Sequence, residues 1–206
     1  MEPLSDQNNL VEYGFKRILI TFTCILCALL EIVDTTIVNV ALNDMKGSLG
    51  ATLTDVAWVI TAYAIANVII IPMTSWLSQQ FGRRNYFAAS IILFTISSFL
   101  CGNANNIWEL VAFRFLQGMG GAMMTPVGRL VLIRSTPRSE LVSAMAWLTI
   151  PAMVGPLVGP PVGGFITTFF SWHWIFLINV PIGLLGIWFA TRFLPDTDER
   201  ILKPLD

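Results

Sequence analysis

Charge is the scarce ingredient of this sequence. Asp, Glu, Lys and Arg supply 12% of its 206 residues, about half the share in a soluble domain, and that shortage excludes a water-facing globule. Histidine occurs once, as His173, so a paired-histidine zinc helix is ruled out. No G-x-x-x-x-G-K-S/T or G-x-S-x-G run exists to cradle a phosphate or present a nucleophile, which leaves ATP-driven and hydrolytic chemistry without residues to carry it. Gly118-Met119-Gly120-Gly121 fails as a dinucleotide fingerprint, because it follows an apolar helical run and Met123 stands where the last Gly belongs. Cys24 and Cys27 form a C-x-x-C spacing with no second pair, and inside an apolar run they read as packing residues. No metal-ligand set and no cofactor motif emerge, and the cations form no nucleic-acid surface.

Apolar residues are what the chain has in excess, at 55%. A helix needs about 20 of them in succession to cross the hydrocarbon layer, and six runs qualify: Ile18 to Ala41, Val56 to Leu77, Tyr86 to Cys101, Trp108 to Ile133, Val142 to Phe170 and Trp174 to Phe193. The third is short, and the fifth is long enough to need tilt or a kink, for which it has prolines. Positive charge stays cytoplasmic during insertion. Lys16, Arg17, Arg83, Arg84, Arg134, Arg138, Arg192, Arg200 and Lys203 all fall on the side that six alternating spans share with both termini, while Lys46 lies opposite. Both ends are therefore expected in the cytoplasm, with His173 anchored between Trp172 and Trp174 in the outer aromatic belt. The first run is too long for a cleaved signal peptide and carries Glu31 and Asp34. The expected organisation is a cytoplasmic segment over 1–17, a six-span unit over 18–194 and a polar cytoplasmic tail over 195–206 that begins a linker.

Two features stand out inside the runs. In the fifth, Gly155, Gly159 and Gly163 recur every four residues beside Pro156, Pro160, Pro161 and Gly164. Four-residue spacing lines glycine along one helix face, where a neighbouring helix can approach to backbone contact. The same stretch reads equally as close packing or as a gate. The second feature is charge within the runs, which is costly and marks function by default. Glu31 and Asp34 lie in the first run and Arg114 in the fourth. At about 1.5 Å per residue, Asp34 and Arg114 lie at similar depth, about 10 Å inside the outer end of their spans, so they can neutralise each other, with Glu31 one turn deeper on the face of Asp34.

These segments resemble a known family. Asp34-Thr35-Thr36-Ile37-Val38-Asn39-Val40-Ala41-Leu42 is similar to the first-helix motif of fourteen-span drug:proton antiporters of the major facilitator superfamily. Arg114-Phe115-Leu116-Gln117-Gly118-Met119-Gly120-Gly121 resembles the fourth-helix motif of that superfamily, and Gly155 to Gly164 its antiporter motif in the fifth helix. Trp172-His173-Trp174-Ile175-Phe176-Leu177-Ile178-Asn179-Val180-Pro181 is similar to the start of the sixth helix in the EmrB/QacA-type branch. Between spans two and three, Ser75 to Arg84 resembles the family's loop motif, with Ser75 in place of its first Gly and Gln79 in place of its Asp, while Gly82, Arg83 and Arg84 are kept. Asn43 stands where the opening motif usually ends in Pro.

The resemblance implies an all-α integral membrane protein, the N-terminal six-helix half of a major facilitator fold built as two three-helix inverted repeats. Its other half would come from a longer reading frame or a second copy. It further implies proton coupling by Asp34, Glu31 and Arg114, and gating by Gly82, Arg83, Arg84, Gly155, Pro156, Gly159, Pro160, Gly163 and Gly164. The family's cavity-lining spans put Tyr63, Asn67, Gln117, Met123, Met124 and Trp147 forward as substrate contacts, since Met and aromatic side chains adapt to ligands of varied shape. The expected function is proton-coupled efflux of amphipathic drugs across the bacterial inner membrane, without a cofactor, with protons, a small-molecule substrate, the lipid bilayer and a periplasmic adaptor as partners. Export of a single metabolite, or a non-transporting scaffold, are the rival readings.

Overall fold

A computed structural model describes residues 14–194, leaving aside the side chains of Lys16 and Arg134. Seven helices follow one another: α1 (Phe15–Ser48), α2 (Leu53–Phe81), α3 (Arg83–Cys101), α4 (Ile107–Ser135), α5 (Leu141–Phe169), α6 (His173–Leu177) and α7 (Asn179–Phe193). Local chemistry sets their ends. Thr52 caps α2 by accepting from the Asp55 N–H while the Asp55 carboxylate accepts from the Thr52 N–H, which satisfies two donors that the first turn leaves open. Asn106 caps α4 through the Glu109 N–H. Gly82 separates α2 from α3 at φ 82°, a left-handed conformation that a side chain would resist.

Among the described residues α1, α2, α3 and α5 are each long and apolar enough to cross a membrane, as is the α6–α7 unit from His173 to Phe193. α4 is likewise 29 residues long, as α2 is, but carries Glu109, Arg114, Arg129 and Arg134. Together they form an all-α bundle in which α4 runs beside helices long and apolar enough to cross a membrane. Several expected limits shift. The first helix starts at Phe15, inside the segment assigned to the cytoplasm, and runs a further two turns past Ala41 to Ser48. The sixth run divides at Ile178, which keeps helical angles of φ −63° and ψ −25°; Pro181 has no N–H for the Leu177 carbonyl, so the bonding pattern lapses while the rod continues. Arg129, a cation of the fourth run not counted among the buried charges, is exposed. Residues 1–13 and the 195–206 tail lie outside the described residues.

Glycine controls how closely the helices meet. α4 packs between α2 and α3, and a Cβ at Gly118 would lie 2.7 Å from the Tyr63 carbonyl oxygen, one at Gly120 2.7 Å from the Phe94 nitrogen. Backbone cannot yield as a side chain can, so both positions demand glycine. On α5, Gly155 lies on Ile32, Gly159 on Thr36 and Gly163 on Ile37 of α1, while Gly164 has open space beside it. Gly164 thus has no part in that contact. Pro156, Pro160 and Pro161 point outward from the same helix, which stays continuous from Leu141 to Phe169.

Apolar packing falls into two clusters. One gathers Cys24, Cys27, Leu30, Tyr63, Phe87, Phe94, Met123 and Met124, the other Ile37, Ala41, Val59, Cys101, Leu110, Ile175 and Phe176. On three of the helices the boundary between them is sharp: after Leu30 and before Ile37 on α1, after Leu110 and before Ala122 on α4, after Phe94 and before Cys101 on α3. The α1–α5 contact yields a prediction. Gly159→Leu, which drives four carbons into Thr36, should lower the melting temperature of the detergent-solubilised protein and raise proton leak in vesicles, at a cost of about 1–3 kcal/mol for overpacking. Val158→Leu, at a position 40% exposed, should behave as wild type. Equal behaviour of the two variants in both measurements would remove the helix contact from the argument.

Candidate functional site

The gap between the two apolar clusters holds the polar side chains. Asp34 of α1, Ser98 of α3, Arg114 and Gln117 of α4 and Asn179 at the first turn of α7 are all buried there. Arg114 Nη1 donates to Asp34 Oδ2 at 2.7 Å and to Gln117 Oε1 at 2.8 Å, and Nε reaches the Val59 carbonyl at 3.4 Å. Gln117 Nε2 donates to Asp34 Oδ1 at 3.0 Å and to Ser98 Oγ at 2.5 Å, while Asn179 Nδ2 donates to Asp34 Oδ1 at 2.7 Å. The Arg114 guanidinium carbon also lies 4.3 Å from the centre of the Tyr63 ring and 5.7 Å from that of Phe176, within the range of a cation–π attraction.

Each member arrives by helix geometry. Gln117 is one turn from Arg114, so both project from one face of α4. Asp34 is held between the apolar halves of α1, and Gly118 and Gly120 let α4 come close enough to α2 and α3 for a short amide to bridge helices. The arrangement is electrostatically closed. Asp34 and Arg114 are each 1% exposed, and a buried pair persists only when its remaining lone pairs and protons are also satisfied. Gln117, Asn179 and Ser98 do this. What the arrangement can do chemically follows: a carboxylate whose partner is a permanent cation can exchange that partner for a proton, and its charge then disappears from the low-dielectric layer.

Glu31 occupies a second, more open position. It is half-buried and accepts from Thr125 Oγ1 of α4 at 2.5 Å. Close by, the Tyr63 hydroxyl is buried without a hydrogen bond of good geometry; a Cβ on Gly121 would collide with it and lie 3.6 Å from Glu31 Cγ. Asn67 interacts with the same hydroxyl.

The structure divides the residues named from sequence. Asp34, Arg114 and Gln117 meet directly, and Tyr63 covers Arg114 with its ring while turning its hydroxyl toward Glu31. Met123 and Met124 are buried in the apolar cluster. Trp147 is elsewhere. It lines a groove of about 420 Å³ with Ile18, Phe22, Ile25, Arg17 and Glu140, where the starts of α1 and α5 diverge and Arg17 pairs with Glu140. At the α2–α3 turn, Arg84 donates to the Thr191 carbonyl of α7 at 2.5 Å, tying that turn to the end of the sixth span. Ser98 and Asn179 were not singled out from sequence. Asn179 had a readable signal as an amide in a run otherwise apolar up to Thr191; Ser98 had none, since Ser97 beside it looks identical.

Removing one member tests the closure. Arg114→Leu leaves a buried carboxylate without its cation and should cost about 3–5 kcal/mol, read as an early loss of the monodisperse peak on heating the solubilised protein. Asp34→Asn placed on that background should recover most of the loss, because the amide oxygen still accepts from Gln117 and Asn179. Failure to recover would mean that Arg114 supports the fold through Tyr63 and Phe176 rather than through charge.

The family profile described as Major Facilitator Superfamily matches residues 24–205. Proteins named "Putative multidrug resistance protein MdtD" are similar in sequence: that of Yersinia enterocolitica is 44% identical over 171 residues, covering 83% of this chain and 36% of the relative. That of Pectobacterium carotovorum is 45% identical over 165 residues, covering 80% and 35%. The chain thus spans about a third of the length of these relatives. In structure it resembles the D-xylose-proton symporter, with a TM-score of 0.76 at 16% identity over 87% of this chain and 48% of that one. It also resembles a bacterial homolog of the human lysosomal transporter Spinster in an inward-facing, unoccupied conformation, with a TM-score of 0.71 at 18% identity over 89% and 44%.

Proposed function

We propose that this chain, which belongs to the Major Facilitator Superfamily, is the first six-helix half of an EmrB/QacA-type, fourteen-span carrier that exports amphipathic compounds in exchange for protons. The family is one of membrane transporters, not enzymes. The observation that carries the exchange mechanism is the buried Asp34–Arg114 pair, closed by amides, in the layer between two apolar clusters. Such a layer is where carriers of this kind bind their cargo. The names of the similar proteins support drugs as substrates.

In this reading both termini face the cytoplasm of a bacterial inner membrane, and 195–206 leads toward further spans. Asp34 takes a proton from the outer side and loses its charge. Arg114 stays in place on Gln117, Val59 and the two rings. Substrate arrives beside Glu31, Tyr63 and Asn67, where a half-buried carboxylate and the Tyr63 hydroxyl with its Asn67 neighbour offer a cationic amphipath one charge and hydrogen bonds. Release of the proton to the cytoplasm restores the pair. The close α1–α5 contact at Gly155, Gly159 and Gly163 and the Arg84–Thr191 tie at the α2–α3 turn keep the six helices together while the half rocks against its counterpart.

The test uses the complete reading frame that encodes this segment, in vesicles with an imposed pH gradient. Asp34→Asn keeps size and hydrogen bonding but cannot carry a proton, so substrate should no longer accumulate against its gradient, while downhill flux and membrane insertion persist. Undiminished uphill export would take the coupling role from Asp34. Glu31→Gln should weaken export of cationic substrates by about tenfold, the value of one lost charge-assisted bond, and leave neutral ones nearly unchanged. Equal losses for both would count against the Glu31 assignment.

A further inference from the structure

The two oxygens of Asp34 are not equivalent. Oδ1 accepts two N–H groups, from Asn179 at 2.7 Å and Gln117 at 3.0 Å, and Oδ2 accepts one, from Arg114 at 2.7 Å. The orientation of the Asn179 amide follows from its partners, because an ionised carboxylate only accepts and the nitrogen must face it. Ser98 Oγ lies 2.5 Å from the Gln117 nitrogen and 3.5 Å from that of Asn179, so one hydroxyl oxygen holds both amides with their N–H groups toward Oδ1.

From this geometry we propose that Asn179, held by Ser98, is a positioning residue that reserves Oδ1 as a hydrogen-bond acceptor and directs the transported proton to Oδ2. The inference rests on Asp34 being the proton carrier. A proton on Oδ1 would point at two N–H hydrogens, and each amide would lose an acceptor in a layer without solvent. A proton on Oδ2 disturbs one bond. Asp34 takes H⁺ from a hydronium ion and releases water; its carboxylate becomes a neutral carboxyl with the O–H on Oδ2 and the C=O on Oδ1. Arg114 gives up Oδ2 and keeps Gln117 Oε1, the Val59 carbonyl and the Tyr63 and Phe176 rings. The titratable and charged groups around Asp34 are Arg114 on α4, Tyr63 on α2, Cys101 on α3 and Glu31 on α1 itself. From α7 it meets an uncharged amide. Asn179 therefore brings a donor without a competing charge, and it does so from the first turn of α7, so the sixth span senses which oxygen is occupied.

Infrared difference spectroscopy of the reconstituted full-length protein, between acid and alkaline buffer, reads the carboxyl C=O stretch, which falls in frequency with each hydrogen bond that the carbonyl oxygen accepts. The Asp34 band is the one that Asp34→Asn removes; if that variant removes no band, Asp34 does not titrate and the function proposed above fails on its own. With the proton on Oδ2, the C=O at Oδ1 accepts from Asn179 and Gln117. Asn179→Leu, of nearly the same shape, should then move the band to higher wavenumber, and Ser98→Ala should move it the same way by less. A band present at the wild-type position in both variants would place the proton on Oδ1 or make Asn179 a packing residue, and either overturns the proposal. The Ser98→Ala arm keeps the test decisive should Asn179→Leu fail to fold.

Discussion

The rest of the structure is organised around one electrostatic constraint, the exclusion of water from a layer that nevertheless contains a carboxylate and a guanidinium. Removing either ion from water costs several kcal/mol, and their mutual attraction repays this only when geometry and secondary hydrogen bonds are both good. That condition reaches far beyond the pair. It fixes Gln117 one turn along from Arg114 and brings Ser98 and Asn179 in from two further helices. It also requires α4 to approach α2 and α3 at glycine distance. A longer side chain at Gly118 or Gly120 would push α4 outward, and the polar layer would lose its reach before the apolar clusters lost much area.

This dependence explains why the bundle has two apolar clusters instead of one. A single continuous core would bury more hydrocarbon and gain more from packing, but it would leave no level at which charge can change without unfolding. The interrupted core gives up some packing between the clusters and gains, in the proposed exchange, a layer whose net charge depends on one proton. Asp34 and Arg114 sum to zero when paired and to one positive charge when Asp34 is protonated. In the proposed exchange, the cation–π contacts to Tyr63 and Phe176 give Arg114 an environment whether or not Asp34 is charged, which a reversible switch needs and a static ion pair does not.

Much of this was legible in the sequence, for reasons specific to membranes. A span that must satisfy its own backbone has to be a helix, so each of the six apolar runs read as helical, as it is in the structure, and charge inside an apolar run is rare enough that Asp34, Glu31 and Arg114 stood out. Equal depth predicted their pairing, and the structure joins Asp34 to Arg114. What could not be read was lateral position. Glu31, one turn from Asp34, faces Thr125 rather than the pair. Trp147 belongs to a groove near the start of α5, a distance along the helix that composition does not encode. Ser98 is indistinguishable from Ser97 without knowing which face of α3 meets α4. Helix ends were missed for a related reason: α1 passes Ala41 through Asn43, Asp44 and Lys46, residues that a hydropathy reading stops at and a helix in water accepts.

The α1–α5 pair shows how the same two helices can be close at one level and open at another. Between Ile32 and Ile37 they touch through glycine, with Thr36 Oγ1 3.4 Å from the Gly155 carbonyl oxygen. Toward their starts Trp147, Phe22 and Ile18 line the groove between them, which the Arg17–Glu140 pair spans. This contact sets α5 backbone against the Ile32, Thr36 and Ile37 side chains of α1, all β-branched and restricted to few rotamers, so the glycine-mediated stretch has little freedom to reshape. The glycine segment therefore acts as the fixed end of the pair, and the divergent segment, with rotatable side chains and an ion pair that is half-exposed on the Glu140 side, can change its spacing at small cost. Asp34 lies on α1 between the residues that make the fixed contact, so in the proposed exchange a change of its charge acts on the rigid part of the pair rather than on the segment that can repack.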